Sequence, residues 1–98
     1  LGNYEVDTWV KWADVLKETH DYPKAIEVLQ HGLEFHAESS VINFRLGGIY
    51  LISSQSLEAR FYLKNAYMAD EKQLSHFYET FPQFKSSSFV KQSLSLKV

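Results

Sequence analysis

Four histidines, at positions 20, 31, 36 and 76, and twelve acidic residues are the side chains of this chain best suited to hold a metal or move a proton. A helical metal site needs ligands three or four residues apart, as in His-Glu-x-x-His, so that both lie on one face. No two histidines stand at that spacing; Glu27 and His31 do share a face, as an exposed pair. Serines are plentiful, but none sits in the Gly-x-Ser-x-Gly turn that presents a nucleophile. Gly47-Gly48 is the single adjacent glycine pair and lacks the further glycines of a phosphate loop, so close helix packing is its expected role. Without cysteine there is neither a disulfide nor a thiolate site, which leaves the compartment open. Lys85, Lys91 and Lys97 interleave with Phe84 and Phe89, but three lysines in a chain of net charge −2 read as a solvated face rather than a nucleic-acid patch. The residues predict no catalysis, no cofactor, no metal and no nucleic-acid partner.

The elements that carry these residues are helical. With 98 residues, 45% of them apolar, the chain suits one domain with a modest core, and 15 aromatic residues favour a well-filled one. No apolar run approaches the ~18–20 residues of a membrane span. Asp7 is placed to cap a helix from Thr8, with Trp9, Trp12, Ala13 and Leu16 at helical spacing and Val10 and Val15 widening the stripe. Asp21 and Pro23 open a second helix whose stripe is Tyr22, Ala25, Ile26, Leu29, Leu33 and Phe35. Ser39 and Ser40 precede a third, with Ile42, Leu46, Ile49 and Tyr50. After the turn Ser53–Ser56, a fourth runs from Leu57 to Ala69, with Ala59, Leu63, Ala66 and Tyr67. Asp70 and Gln73 start a fifth, holding Leu74, Phe77, Tyr78 and Phe81, which Pro82 stops or kinks. Beyond Ser86-Ser87-Ser88, residues Phe89, Val90 and Leu94 fit a short last helix, although the alternation from Ser93 to Leu96 equally suits a strand or a frayed tail.

These helices repeat at an interval of 34 residues: Ala13 returns as Gly47, Leu16 as Tyr50, Ala25 as Ala59, Leu29 as Leu63 and Gly32 as Ala66. Such a period marks stacked units that cannot bury their apolar faces alone. The small residues allow paired helices to approach closely, Ala13 toward Ala25 and Gly47 toward Ala59. Leu46-Gly47-Gly48-Ile49-Tyr50, followed by Ala59, Leu63 and Ala66, resembles the tetratricopeptide repeat. Trp9, Trp12-Ala13, Leu16, Tyr22, Ala25, Leu29 and Gly32 form a looser copy. The closing Pro is replaced by Ala37 and Glu71, and Asn43 stands where Trp is usual. Sel1-like repeats, also helical hairpins, differ in period.

The resemblance implies an all-α, right-handed stack of antiparallel helix hairpins, about five to six helices in all. Residues 6–39 would form one repeat, 40–73 a second, and 74–98 a degenerate C-terminal capping unit. Residues 1–5 would close a preceding repeat, making the chain a C-terminal piece of a longer array; a processed N-terminus reads the same way.

In that family the first helix of each repeat lines a concave groove that binds a protein or peptide. By register the lining residues here are Val10, Asp14 and Lys17, then Val41, Phe44, Gly48 and Leu51, and Tyr78, with Asp7 and Ser75 beside them. Val10, Asp14 and Gly48 stand where a clamp for an acidic C-terminal tail needs Lys and Asn, so an apolar extended or helical peptide fits better. Phe44, Leu51 and Ile52 are unusually apolar for an open face. Either a partner docks on them, or the chain's own end, through Phe84, Phe89 and Leu94, folds back over them. The expected function is a non-catalytic interaction scaffold; the alternative is weak self-association through exposed terminal repeats.

Overall fold

The computed structural model describes residues 4–96, so most of the segment expected to close a preceding repeat (residues 1–5) and the last lysine, Lys97, lie outside the described residues. Six α-helices follow one another: α1 (Val6–Glu18), α2 (Tyr22–Phe35), α3 (Ser40–Ile52), α4 (Ser56–Ala69), α5 (Leu74–Thr80) and α6 (Ser88–Ser93). Short 3₁₀ turns precede and follow α5, at Glu71–Gln73 and Pro82–Phe84. No strand occurs among the described residues. The architecture is an all-α stack of helix hairpins, α1–α2 against α3–α4, with the short helices closing one end.

Caps account for most of the boundaries. The Asp21 carboxylate accepts from the Lys24 N–H and the Ser39 hydroxyl from the Ile42 N–H, starting α2 and α3. The Ser87 hydroxyl does the same for the Val90 N–H at α6. Asp7 is not a cap: α1 begins at Val6, before it, and the Asp7 carboxylate pairs with Lys11 at 3.0 Å within the first turn. An acid there still complements the positive end of the helix. Asp70 does receive Lys72 N–H, but the turn it opens is 3₁₀, and α5 proper starts at Leu74. Phe81, expected on the fifth helix, lies just beyond it in non-helical backbone (φ −126°, ψ 67°), because Pro82 disfavours helical geometry in the residue before it.

The centre of the molecule is α3. Every residue from Ile42 to Tyr50 is buried, so this helix has no solvent face and must be surrounded. Ile42, Leu46 and Ile49 are fully enclosed, as are Leu29 of α2 and Leu63 of α4. Each such aliphatic side chain contributes about 1.5–3 kcal/mol of transfer free energy. Gly47 sets the approach of α4: a Cβ on it would lie 2.8 Å from Leu63 Cγ. Two polar groups of α3, at Ser40 and Tyr50, are tied to the neighbouring helices. The Ser40 hydroxyl donates to the Ala66 carbonyl at 2.8 Å, joining the start of α3 to the end of α4, and Gln30 Nε2 donates to the Tyr50 hydroxyl at 3.0 Å. The expected stripe of α1 is only half correct: Trp9, Val10 and Ala13 are buried, whereas Trp12 and Val15 face outward.

Three helices end in the same way. His20, Ser54 and Ser95 have φ near +60° after α1, α3 and α6. The next residue donates back across the turn in each case, Asp21 to Leu16, Gln55 to Tyr50 and Leu96 to Lys91, at 2.8–2.9 Å. These are Schellman closures, usually made with glycine, which reaches φ > 0 without a Cβ penalty. The alternation at Ser93–Leu96 is therefore a helix stop, neither strand nor frayed tail. His20 and Ser54 are 34 residues apart, so the closure itself follows the repeat. Ser54 makes no side-chain hydrogen bond in the structure, and Ser54→Gly is expected to stabilise the fold by about 1 kcal/mol. Thermal unfolding should show a Tm higher by several degrees; an unchanged or lower Tm would mean the left-handed turn carries no strain.

Candidate functional site

The face that register predicts as a groove runs over α1 and α3, and the chain itself fills part of it. Phe77 of α5 packs on Phe44 with ring centroids 5.3 Å apart, and Phe81 sits on Gly48, where a Cβ would lie 2.7 Å from the ring's Cδ2. Phe84 adds a third ring, 6.4 Å from Phe77 and 6.1 Å from Phe81. Phe44 is 2% exposed, so neither it nor Gly48 is open to a partner. Of the two fates expected for the apolar strip, Phe44 takes the second, covered by the chain itself, while Leu51 and Ile52 stay half-buried. The covering residues differ from those expected. Phe77 and Phe81 do the work beside Phe84, while α6 packs on α4, with Phe89 5.1 Å from the Arg60 guanidinium.

Asp14 and Lys17 are also taken up within the chain. Arg45 meets Asp14 through two parallel hydrogen bonds, Nε to Oδ1 at 3.0 Å and Nη2 to Oδ2 at 3.1 Å. Arg45 is buried on α3, and this fork fixes it to α1. The Lys17 ammonium lies over the Phe81 ring, 5.1 Å from its centroid. Leu51 and Tyr78 are half-buried, and burial pushes the Tyr78 phenol above its ordinary pKa.

Val41 is half-buried and Val10 only 4% exposed. With Val6 they line a cleft of about 560 Å³ between α1, α3 and the 3₁₀ turn before α5, with Asp7, Lys72, Gln73, Ser75 and His76 around it. Tyr78 and Ser75 border a separate, shallower hollow of about 370 Å³ with Pro82 and Lys85.

The histidines pair locally. His31 Nδ1 lies 2.7 Å from Glu34, not Glu27, whose carboxylate accepts from Lys24 at 2.8 Å. That lysine holds the Glu27 carboxyl below its usual pKa, first through the hydrogen bond and then through its charge. His76 stands 3.3 Å from Glu79. Among the described residues no three His, Asp or Glu side chains come together as a metal site, and no helix is long and apolar enough to cross a membrane. Comparison with family models, curated proteins and solved structures finds no match to the chain.

The register argument missed Arg45. An arginine inside an apolar run was the available signal, since a cation buried there requires an acid on a neighbouring helix. The closing of the strip was signalled by its own apolarity. If Gly48 exists to seat Phe81, then Gly48→Ala costs about 1–3 kcal/mol in the native chain and almost nothing after Phe81→Ala. Urea unfolding of the two single variants and the double variant measures this; additive costs would show that the glycine serves another contact.

Proposed function

We propose that the chain is a non-catalytic protein–protein interaction module of tetratricopeptide type, which takes a peptide segment in the open half of its groove. The observation that supports this reading is the cleft that Val10 and Val41 share, on the face where such repeats bind their partners. Its floor is aliphatic and its rim mixes one acid, one lysine, one histidine and neutral polar groups. That chemistry suits an extended segment with small apolar side chains, whose backbone N–H and C=O groups meet the polar rim. A strongly acidic tail is disfavoured, because Asp7 stands beside Lys72 and offsets its charge.

The other half of the groove supports the reading indirectly. Phe77 and Phe81 brace α5 against α3 and so hold Ser75 and His76 at the edge of the cleft. A rigid rim costs less to order on binding than a mobile one.

Selection of peptides from a displayed random library against the purified chain tests the proposal. Selected peptides are expected to lose about tenfold or more in affinity with Val41→Asp and with the exposed rim change Lys72→Ala. The same peptides should bind a Trp12→Asp chain, altered on the opposite side, unchanged. Far-ultraviolet circular dichroism establishes that each variant is folded. Peptides that keep their affinity for both cleft variants would sink the assignment, as would a library that yields no binder.

A further inference from the structure

A trough of about 530 Å³ runs along α2, and its chemistry differs from that of the groove cleft. Lys24, Glu27, Val28, His31, Glu34 and Phe35 line one side of it, at the spacing that keeps residues on one helix face. From the first to the last of them the helix rises about 16 Å, the reach of about five extended residues. The other side is aromatic, built by Trp9 and Trp12 of α1 and by Tyr4 just ahead of that helix.

The rings present faces in two directions. Trp12 and Phe35 lie nearly parallel to Trp9, at 18° and 10°, with centroids 6.0 and 6.2 Å away. Tyr4 stands at 68° to Trp9, 5.5 Å away. Trp9 is buried, whereas Tyr4, Trp12 and Phe35 are 42%, 46% and 49% exposed. An aromatic face is electron-rich, so a group of them attracts a cation and offers an anion nothing. The carboxylates add to that field. Glu27 Oε2 accepts from the Lys24 ammonium at 2.8 Å and Glu34 Oε2 lies 2.7 Å from His31 Nδ1, while Oε1 of each makes no hydrogen bond among the described residues. With His31 neutral, two carboxylates face one ammonium, which Glu27 already matches.

We propose, independently of the groove cleft, that this trough binds an arginine side chain of a partner peptide. Arginine meets both parts of the chemistry: its planar guanidinium lies on a ring face, and the N–H donors at its edge reach the free oxygens of Glu27 and Glu34. A lysine ammonium has no flat face to stack and gives up a tighter hydration shell. A trimethylated lysine has no N–H for the carboxylates, and a neutral side chain leaves the field unused. The chain makes the stacking contact within itself, where the Arg60 guanidinium lies 5.1 Å from the centroid of the Phe89 ring. The length of the trough selects a side chain carried on a peptide over a free guanidinium compound, since a short extended backbone spans it from Lys24 to Phe35.

Both tryptophans of the chain line the trough, so intrinsic fluorescence reads it directly. The probe is the capped peptide Gly-Gly-Arg-Gly-Gly, titrated at about pH 8 to keep histidine neutral. The comparison peptides carry lysine, trimethyl-lysine or citrulline, the uncharged counterpart of arginine, in its place. The arginine peptide should give a saturable spectral shift. The lysine and trimethyl-lysine peptides should bind about fivefold or more weakly than it, and the citrulline peptide about tenfold or more weakly. Glu34→Gln and Phe35→Ala, both at exposed positions, should each weaken the arginine peptide about three- to tenfold. Phe61→Ala removes an exposed ring of α4 outside the trough and should change nothing. Circular dichroism establishes that each variant is folded. No saturable shift with arginine, equal affinity for any comparison peptide, or full affinity in both trough variants would each overturn the proposal.

Discussion

Everything in this fold is arranged around the middle of α3. From Ile42 to Tyr50 that helix is buried, so its neighbours must reach this stretch from every direction, and its two glycines determine how closely two of them come. Gly47 admits Leu63 of α4 to a distance that any Cβ would forbid. Gly48, 100° further round the helix, admits the Phe81 ring from the closing segment. Close packing of this kind transmits shape, because interiors at crystal-like density do not absorb even a methyl group without movement. The positions of α4 and of the phenylalanine cluster thus follow from two missing side chains on one helix.

Burial on all sides also explains the polar chemistry of the interior. Arg45 cannot reach solvent from α3, so its guanidinium requires a carboxylate, and two parallel hydrogen bonds hold it to Asp14 of α1. Ser40 and Tyr50 meet the same demand with a carbonyl of α4 and an amide of α2. These bonds add modestly to net stability, about 1 kcal/mol each for neutral pairs, but leaving one partner alone would cost more. They also select a single alignment of the hairpins, since aliphatic contacts alone tolerate sliding.

Most of the helices were legible because apolar periodicity and capping residues agreed: Asp21 and Ser39 cap the helices they were expected to cap. The 34-residue interval was legible at the small residues, whose spacing is a packing requirement. The candidate groove was legible only in part. Register places Val10 and Val41 on the same face, and they do share a cleft, but register cannot say what else lies on that face. Phe44 and Gly48 vanish under Phe77 of α5 and Phe81 just beyond it, a tertiary outcome with no periodic signature. Trp12 was read as core since a tryptophan at helical spacing normally is; its neighbour-in-register Leu46 is buried by a hairpin that α1 lacks among the described residues.

The two ends of the stack treat the same physical problem differently. A helix-hairpin unit presents apolar surface both ahead and behind, and a stack must dispose of the surface at each end. At the C-terminal side the chain does so with broken pieces: two 3₁₀ turns and two short helices, whose rings and aliphatic residues fill the space without extending the repeat. At the N-terminal side the first hairpin keeps Tyr4, Trp12, Val15 and Phe35 in contact with water and leaves the Trp9 N–H without an acceptor. Aromatic area of that size is costly to expose, and only part of it is offset within the hairpin, where Trp12 and Phe35 stack on the buried Trp9 ring.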